Sequence, residues 1–273
     1  MGEAWSMVPL VLIHGISNTP ECWHTFAQTV REDNPDQLVL ALRSPFSGVG
    51  SFVTLGVQVK WFQHELEQLS IEHGRLDLVC HSQGAVICQA VLVESNKVKV
   101  SRFVSLAGPQ MGVYGALWFR FLPPAFAKFS LEAMSKLAYE SWAQDTLSVA
   151  NLWNDPHSPD VFAARNTFLP RYLGLLQLNT TMQMKQNYLK LERAAYLVGS
   201  FVNRTHDEGI DPWQSGVFGY YQAGSQAAAA AMALVIQSHP NIRHDDWLFD
   251  AEVIRRFVLP QLNRKKQPKA AIT

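Results

Sequence analysis

Short apolar runs alternate with longer amphipathic segments along most of the chain. Strand-like apolar runs occur at Val8 to Ile13, Leu38 to Leu42, Leu76 to Val79, Val100 to Leu106 and Ala194 to Phe201. Helical spacing is found around Trp23 to Val30, Val53 to Leu69, Ala85 to Val93 and Ala251 to Leu262. Because strands that alternate with helices build parallel sheets, the pattern predicts an α/β fold whose mostly parallel central sheet has helices on both faces.

Length and apolar content favour a single domain. The chain has 273 residues, 48% of them hydrophobic, which is enough to bury one sizeable core. We therefore expect residues 1–273 to form one domain. The segment at about 110–190 shows little strand-like alternation, and it predicts a cap inserted above the sheet.

The predicted cap is rich in aromatic side chains, which include Tyr114, Trp118, Phe119, Phe121 and Phe126. These residues can form the small core of the cap itself. They can also line a groove for a fatty acyl chain, since burial of each methylene stabilises by about 0.8 kcal/mol. The sequence leaves both interpretations open.

Charge and hydropathy exclude several function classes. The 23 basic and 23 acidic side chains cancel, so we expect no nucleic-acid partner and no general attraction to an anionic membrane. No apolar run approaches the roughly 18 residues that span a bilayer, which predicts no stable membrane insertion. The N-terminus lacks a basic segment followed by a long apolar one, so no signal peptide is visible and a soluble chain is expected.

The three cysteines, Cys22, Cys80 and Cys88, are too few to predict a disulfide framework. Cys88 follows a predicted turn by one and a half helical turns, where we expect a small buried hydrophobic residue. Two sequons begin at Asn179 and Asn203, and they matter only if the chain enters the secretory pathway.

The segment Cys80-His81-Ser82-Gln83-Gly84 joins a predicted strand to a predicted helix. This is the context of a nucleophile elbow, in which a serine on a sharp turn projects above the sheet and its neighbours must be small. Gly84 meets that demand, and Cys80 takes the place of the usual first glycine. The structural alternative for Ser82 is a simple helix N-cap.

A nucleophilic serine needs a histidine base and an acid that orients it. The elbow and the mostly parallel sheet predict an α/β-hydrolase fold with an inserted cap, in which the chain order is serine, acid, histidine. The segment after the strand ending at Phe201 offers Asp207, Glu208 and Asp211. We favour Asp207, which comes first out of the strand, over Asp211.

The histidine is expected in the loop before the last helix, which contains His239 and His244. His244 is closer to the helix, and Trp247 can anchor the loop beside it. His239 precedes a proline and is expected to serve a turn. Neither histidine spacing is typical of a zinc site, and His64-Glu65 lacks a second histidine at Gln68, so we expect no metal and no cofactor.

An oxyanion hole needs two backbone N–H groups that point at the developing charge. The amide of Gln83, the residue after the proposed nucleophile, supplies one. The loop after the first strand, His14-Gly15-Ile16-Ser17, is expected to supply the other through Ile16.

With these residues assigned, the chain resembles the palmitoyl-protein thioesterases, and their second, lysosomal type most closely. The resemblance runs from about Val8 to Leu262. Besides the elbow, it rests on His14-Gly15-Ile16, Ser105 to Gly115, Asn151 to His157, Asp211 to Tyr220, His244 and Trp247. Within these, Pro109-Gln110-Met111-Gly112 and Asn154-Asp155-Pro156-His157 are the distinctive parts.

The resemblance implies hydrolysis of long-chain fatty-acyl thioesters, such as palmitoyl-CoA or S-palmitoylated cysteine, through an acyl intermediate on Ser82. It places Asp207 at the acid position and His244 at the base position of the family, and it implies a monomer in a lysosomal or secretory compartment. Three departures stand out. His81 replaces the usual aromatic residue, Ala85 replaces a second glycine, and most of the family's disulfide cysteines are missing.

Two other functions share much of this pattern. A carboxylester lipase would use the same triad on lipid oxygen esters. A non-catalytic lipid-binding protein on a hydrolase scaffold would keep the groove without reacting.

Overall fold

A computed structural model describes residues 8–115, 130–176, 179–200, 213–216 and 233–263. Its centre is a six-stranded sheet with the order β2-β1-β3-β4-β5-β6, in which every neighbouring pair is parallel. The strands are β1 (Leu10–Ile13), β2 (Val39–Ala41), β3 (Leu76–His81), β4 (Val100–Leu106), β5 (Arg193–Ser200) and β6 (Ala233–Pro240). The predicted α/β fold with a mostly parallel sheet is confirmed.

Helices cover the two faces of this sheet. In the first half they are α1 (His24–Asp33), α2 (Leu55–His73) and α3 (Gln83–Glu94), and the C-terminal ones are α10 (Asp246–Phe249), α11 (Ala251–Val253) and α12 (Leu259–Leu262). Strand β2 lies on one side of β1 and β3 on the other, so right-handed crossovers put α1 and α2 on opposite faces. Helix α3 packs beside α2, whereas α1 packs against α10. No helix in the described ranges is both long and apolar enough to cross a membrane.

The predicted strands and helices are confirmed within a few residues, with one omission. Strand β6 was not predicted, and the sequence analysis placed His239 in a turn, whereas His239 pairs with Gly199 inside this strand. Because β6 is the edge strand of the described sheet, its side chains alternate between half-buried and exposed. Its second half therefore carries polar residues and ends in Pro240, which hides the strand from a search for apolar runs.

The last predicted helix is interrupted by one turn of π-helix at Ile254–Val258. Pro260, in the first turn of α12, has no N–H to donate to the carbonyl of Arg256. The wider turn directly before this proline allows the helix to continue past the missing hydrogen bond.

The described residues between β4 and β5 form six short helices, α4 (Leu131–Ala138), α5 (Ser141–Thr146), α6 (Ser148–Asn151), α7 (Pro159–Arg165), α8 (Leu169–Tyr172) and α9 (Thr181–Tyr188). This is the segment predicted as a cap at about 110–190, and its role as a cap stays a prediction. Of the aromatic residues singled out there, Tyr114 packs against Trp153 with ring centroids 5.4 Å apart. The other four, Trp118, Phe119, Phe121 and Phe126, lie outside the described residues.

A disulfide joins Cys80, near the end of β3, to Cys88 on α3, with 6.7 Å between their Cα atoms. The expectation that Cys88 is only a buried hydrophobic residue is therefore wrong. Both residues are buried, and the bond closes a short loop that contains Ser82. The cysteine at the usual glycine position of the elbow thus has a physical reason, since it ties the turn to the helix that follows.

This disulfide predicts how many thiols the chain exposes. In denaturant without reductant, alkylation should modify only Cys22, and with reductant it should modify all three cysteines. In the native protein Cys22 should react slowly at neutral pH, because burial raises its pKa to about 12. Mass spectrometry of the alkylated protein counts the modified sites.

A Cys22→Ser variant is the control, and it should show no free thiol until reductant is added. Three alkylated cysteines in the unreduced, unfolded wild type would show that the bond between Cys80 and Cys88 does not form.

Candidate active site

Ser82 lies on a strained turn between β3 and α3. Its backbone has φ +52° and ψ −128°, a conformation that side-chain-bearing residues rarely adopt. This is the geometry of the nucleophile elbow predicted from the sequence. The turn brings the Ser82 hydroxyl above the carboxyl end of the sheet, where functional residues of parallel sheets gather.

Gly84, two residues after Ser82, has no room for a side chain. A Cβ atom at Gly84 would lie 2.4 Å from the carbonyl oxygen of His14 and 2.7 Å from that of Ile13. The end of β1 therefore packs directly on the first turn of α3. The next residue, Ala85, is accommodated in turn by Gly108, where a Cβ would lie 2.5 Å from that of Ala85.

The structure brings Ser82 and His244 together. His244 Nε2 lies 3.0 Å from Ser82 Oγ, and both side chains are buried. His244 reaches this position on the loop between β6 and α10, where Asn241 adopts a left-handed conformation with φ +64°. The pair has the contact that a serine needs to transfer its proton to a base.

The acid candidates Asp207, Glu208 and Asp211 all lie outside the described residues, and the preference for Asp207 stays a prediction. Asp245, the residue after His244, is exposed.

Gln83 and Ile16, the two residues predicted to supply the amides of the oxyanion hole, each follow a residue at the elbow contact: Gln83 follows Ser82, and Ile16 follows Gly15. Gln83 is the first residue of α3, so its N–H has no partner within the helix. Ile16 follows Gly15, and a Cβ at Gly15 would lie 2.7 Å from Cβ of Ser82. The loop of Ile16 therefore contacts Ser82 at Gly15, a position that has no room for a Cβ atom.

His14 fixes the orientation of this loop. Its Nδ1 lies 2.9 Å from the carbonyl oxygen of Gly15 and its Nε2 lies 3.0 Å from Ser47 Oγ. A carbonyl oxygen only accepts, so His14 donates from Nδ1 to Gly15, and burial lowers the pKa of this ring. In a trans peptide the C=O and N–H point in opposite directions, so a held Gly15 carbonyl leaves the Ile16 N–H directed away from His14.

The 3₁₀ turn Gly48–Phe52 contacts both the loop of Ile16 and the Gln83 side chain. Ser51 Oγ accepts a hydrogen bond from the backbone N–H of Ser17 at 2.7 Å. The carbonyl of Ser51 accepts another from the Gln83 side chain at 2.8 Å. These bonds hold the loop of Ile16 and the start of α3 against a common neighbour, and sequence analysis had no signal for Ser51.

One group of metal-ligating residue types occurs in the described part of the chain. His81, His244 and Asp245 each offer a ligand atom within 4.8 Å of the others. His244 Nε2 already contacts Ser82, and His81 Nε2 contacts the backbone carbonyl of His244. An ion on either Nε2 atom would displace one of these contacts, so the arrangement favours a serine–histidine pair.

His239, the alternative base, lies elsewhere. Its ring stacks on Phe257 with centroids 4.0 Å apart and meets Trp247 at 5.9 Å. It therefore packs on the C-terminal helices, while the contact with Ser82 belongs to His244.

Comparison with known proteins agrees with this geometry. The family model described as palmitoyl protein thioesterase matches residues 9–248. That span includes the elbow, the loop of Ile16 and His244.

The chain belongs to the palmitoyl protein thioesterase family.

Curated relatives of this family cover most of the chain. The lysosomal thioesterase PPT2 of Bos taurus is 29% identical over 230 residues, which cover 83% of this chain and 72% of the relative. The palmitoyl-protein thioesterase 3 of Dictyostelium discoideum is 29% identical over 241 residues, covering 88% of this chain and 78% of the relative. Membership makes the chain a thioester hydrolase.

Solved structures confirm the α/β-hydrolase fold predicted for this thioesterase. A protein from Listeria innocua, the lin2722 gene product, aligns with a TM-score of 0.55 at 12% identity, covering 96% of each chain. At this identity the likeness shows the fold alone.

The two distinctive family segments prove to be neighbours. Val113, just after Pro109-Gln110-Met111-Gly112, donates its N–H to the carbonyl of Leu152 and accepts from the N–H of Asn154. The Asn154 side chain also donates to the carbonyl of Met111 at 2.6 Å. Asp155 accepts hydrogen bonds from the Ser135 hydroxyl and the N–H of His157. Among the described residues, hydrogen bonds thus join the two segments to each other between β4 and β5.

A Gly15→Ala substitution tests the contact between the loop of Ile16 and Ser82. The added methyl group would press on Cβ of Ser82 and move the Ile16 amide, so kcat should fall about 10²-fold, as expected for a lost oxyanion donor. Steady-state kinetics on a palmitoyl thioester measures this loss.

Gly56→Ala in α2 is the matched control, since a Cβ there meets nothing within 4 Å. It should keep the wild-type kcat. Wild-type turnover by a folded Gly15→Ala enzyme would contradict the close packing described for this loop.

Proposed function

We propose that the chain hydrolyses long-chain fatty-acyl thioesters, with Ser82 as nucleophile and His244 as general base. The observation that carries the proposal is the 3.0 Å contact between His244 Nε2 and Ser82 Oγ, made on an elbow with strained backbone. Membership of the palmitoyl protein thioesterase family supports the choice of the thioester as substrate.

The first half of the reaction transfers the acyl group to the enzyme. His244 Nε2 accepts the proton of Ser82 as Oγ attacks the thioester carbonyl, and a tetrahedral intermediate with a negative oxygen forms. Collapse of this intermediate breaks the C–S bond, and the thiol leaves with the proton held by His244. The product is an acyl ester on Ser82.

The second half releases the fatty acid. His244 accepts a proton from water, whose oxygen attacks the acyl carbonyl, and the proton returns to Ser82 Oγ as the ester bond breaks. The serine and the histidine thus regain their starting states.

The negative oxygen formed in each half is placed against the amides of Ile16 and Gln83. The Gln83 N–H stands at the N-terminus of the 12-residue helix α3, where the helix dipole also favours negative charge. Support for the Ile16 donor comes from the bond that His14 makes to the preceding carbonyl.

We assign Asp207 as the acid that orients His244 and stabilises its charged form. The supports are the order serine, acid, histidine along the chain and the position of Asp207 after β5. Asp211 is the alternative that the test below separates from it.

The substrate we favour carries a palmitoyl or similar chain on CoA or on a protein cysteine. Its support is the family and the names of the relatives, since the aromatic residues proposed for the acyl groove are mostly outside the described part of the chain. We also propose that the enzyme acts as a monomer.

We propose a lysosomal or secretory location. The relative from Bos taurus is a lysosomal thioesterase. Two features of this chain agree with that compartment. The disulfide between Cys80 and Cys88 needs an oxidising environment to form, and Asn179, which begins a sequon, is exposed. The thiol count proposed above, made on protein from its native cells, tests this assignment.

Replacing Ser82 by alanine tests the central assignment. The Ser82→Ala variant should lose hydrolysis of palmitoyl-CoA by about 10⁴-fold or more, because no acyl intermediate can form. A fluorophosphonate probe should label the wild type on Ser82 and leave the variant unlabelled.

Two results would redirect the assignment. Wild-type turnover by Ser82→Ala would remove Ser82 from the mechanism, and failure of the probe to label the wild type would favour a non-catalytic lipid-binding protein. Rates on a palmitoyl thioester and its matched oxygen ester decide the substrate class, and faster hydrolysis of the oxygen ester would favour a lipase.

The acid assignment is tested by Asp207→Asn beside Asp211→Asn. Loss of the acid that orients the base should lower kcat about 10³- to 10⁴-fold, so we expect this loss at Asp207 and near wild-type turnover at Asp211. Steady-state kinetics of both variants measures the effect. The reverse pattern would move the acid to Asp211.

A further inference from the structure

His81, the residue directly before Ser82, packs on the base of the reaction. Its side chain is fully buried, and the centroids of the His81 and His244 rings are 4.7 Å apart with 53° between their planes. His81 Nε2 also lies 2.9 Å from the backbone carbonyl oxygen of His244. One side chain therefore contacts both the ring and the backbone of His244.

The chemistry of this contact defines the protonation of His81. A carbonyl oxygen only accepts, so Nε2 must carry the proton. Burial lowers the pKa of His81 well below its ordinary value, and the neighbouring imidazoles of His244 and His14 lower it further. A neutral ring with its proton on Nε2 has a bare lone pair on Nδ1, and Nδ1 has no hydrogen-bond partner in the described part of the chain.

The opposite edge of the ring faces the loop of Ile16. A Cβ placed on Gly15 would lie 3.3 Å from His81 Nδ1, so this edge packs against Gly15. The His81 ring thus fills the space between the loop of Ile16 and the loop of His244. It is attached to the strand that ends in Ser82.

The loop of His244 also has hydrogen bonds within its own turn. The bonds that close it locally join Arg243 to Asp246, since the Arg243 N–H donates to the Asp246 side chain and the Asp246 N–H donates to the Arg243 carbonyl. These bonds shape the turn, but they do not link it to the strand that carries the nucleophile. The hydrogen bond from His81 makes that link across 163 residues of sequence.

We propose that His81 is a positioning residue, whose N–H holds the backbone of His244 so that Nε2 of His244 reaches Ser82 Oγ. The proposal rests on the roles proposed for Ser82 and His244. Reacting groups lose about 10²-fold in rate when misplaced by 1 Å, so a bond that fixes the backbone of the base controls turnover. The His81 side chain combines a planar ring with an N–H donor that a phenylalanine ring lacks.

Two substitutions separate the donor from the ring. His81→Phe keeps a planar ring and removes the donor, whereas His81→Gln removes the ring and keeps an N–H that can reach the His244 carbonyl. We expect His81→Phe to lower kcat on palmitoyl-CoA about tenfold or more with KM within twofold. His81→Gln should recover most of that loss, and fluorophosphonate labelling of Ser82 should follow the same order.

Three outcomes would overturn the proposal. His81→Phe could retain the wild-type kcat, both folded variants could lose kcat equally, or His81→Phe could change KM alone, which would assign the ring to substrate binding. Thermal unfolding of each variant identifies a loss of fold. The Ser82→Ala result keeps the two proposals distinct, because an essential Ser82 beside a dispensable His81 overturns only the positioning role.

A measurement on the wild-type protein tests the proposal even if a variant fails to fold. Among the residues that the structure describes, the titratable groups that face His81 are His244, His14 and Asp245. Imidazole ¹⁵N shifts of His81 should show the neutral ring with its proton on Nε2 throughout about pH 5 to 8. A His81 that carries its proton on Nδ1, or that becomes charged in this range, would contradict the bond to the His244 carbonyl.

Discussion

The end of the first strand and the turn at Ser82 approach each other so closely that Gly84 and Gly15 have no room for a side chain. A Cβ at Gly84 would lie 2.4 Å from the carbonyl oxygen of His14, and a Cβ at Gly15 would lie 2.7 Å from that of Ser82. This packing holds the loop that contains Ile16 against Ser82. The proposed oxyanion hole depends on it, since two converging amides require two backbone segments in contact.

The turn that makes this contact is strained, and the surrounding structure stabilises it. A positive φ at a residue such as Ser82 costs roughly 1–3 kcal/mol, and it persists only where neighbouring elements fix the backbone. Strand β3 lies between β1 and β4 in the interior of the sheet, and the Cys80–Cys88 disulfide joins its end to α3. His81 adds a contact from the same strand to the loop of His244. Three consecutive residues thus make three different contacts. Cys80 bonds to α3, His81 bonds to the loop of His244, and Ser82 forms the strained turn.

The distinctive segments of the family serve the scaffold in the part of the chain that the structure describes. The backbone of Val113 pairs with the segment around Trp153, and Asp155 binds Ser135 of α4 through its carboxylate. Buried carboxylates and amides that find such partners fix one arrangement of a helical insertion, because any other arrangement would leave them without hydrogen bonds. These residues identify the family without taking part in the proposed chemistry.

The sequence by itself determined the α/β fold, five of the six described strands and the elbow at Ser82, because these follow from local apolar runs and from the turn requirements of single residues. It also indicated His244 through its place before the last helix, and the contact with Ser82 Oγ agrees with that interpretation.

Only the tertiary structure decided the contacts between residues distant along the chain or across a turn. The edge strand β6 was hidden because only its first half is apolar, and the bond between Cys80 and Cys88 was missed because three cysteines do not predict a disulfide framework. The hydrogen bond from His81 to His244, the support from Ser51 and the clash at Gly15 depend on how loops of different strands meet at one end of the sheet. Contacts between loops leave no local pattern in the sequence. Each loop alone has the residues of an ordinary turn, and only packing brings the loops within bonding distance.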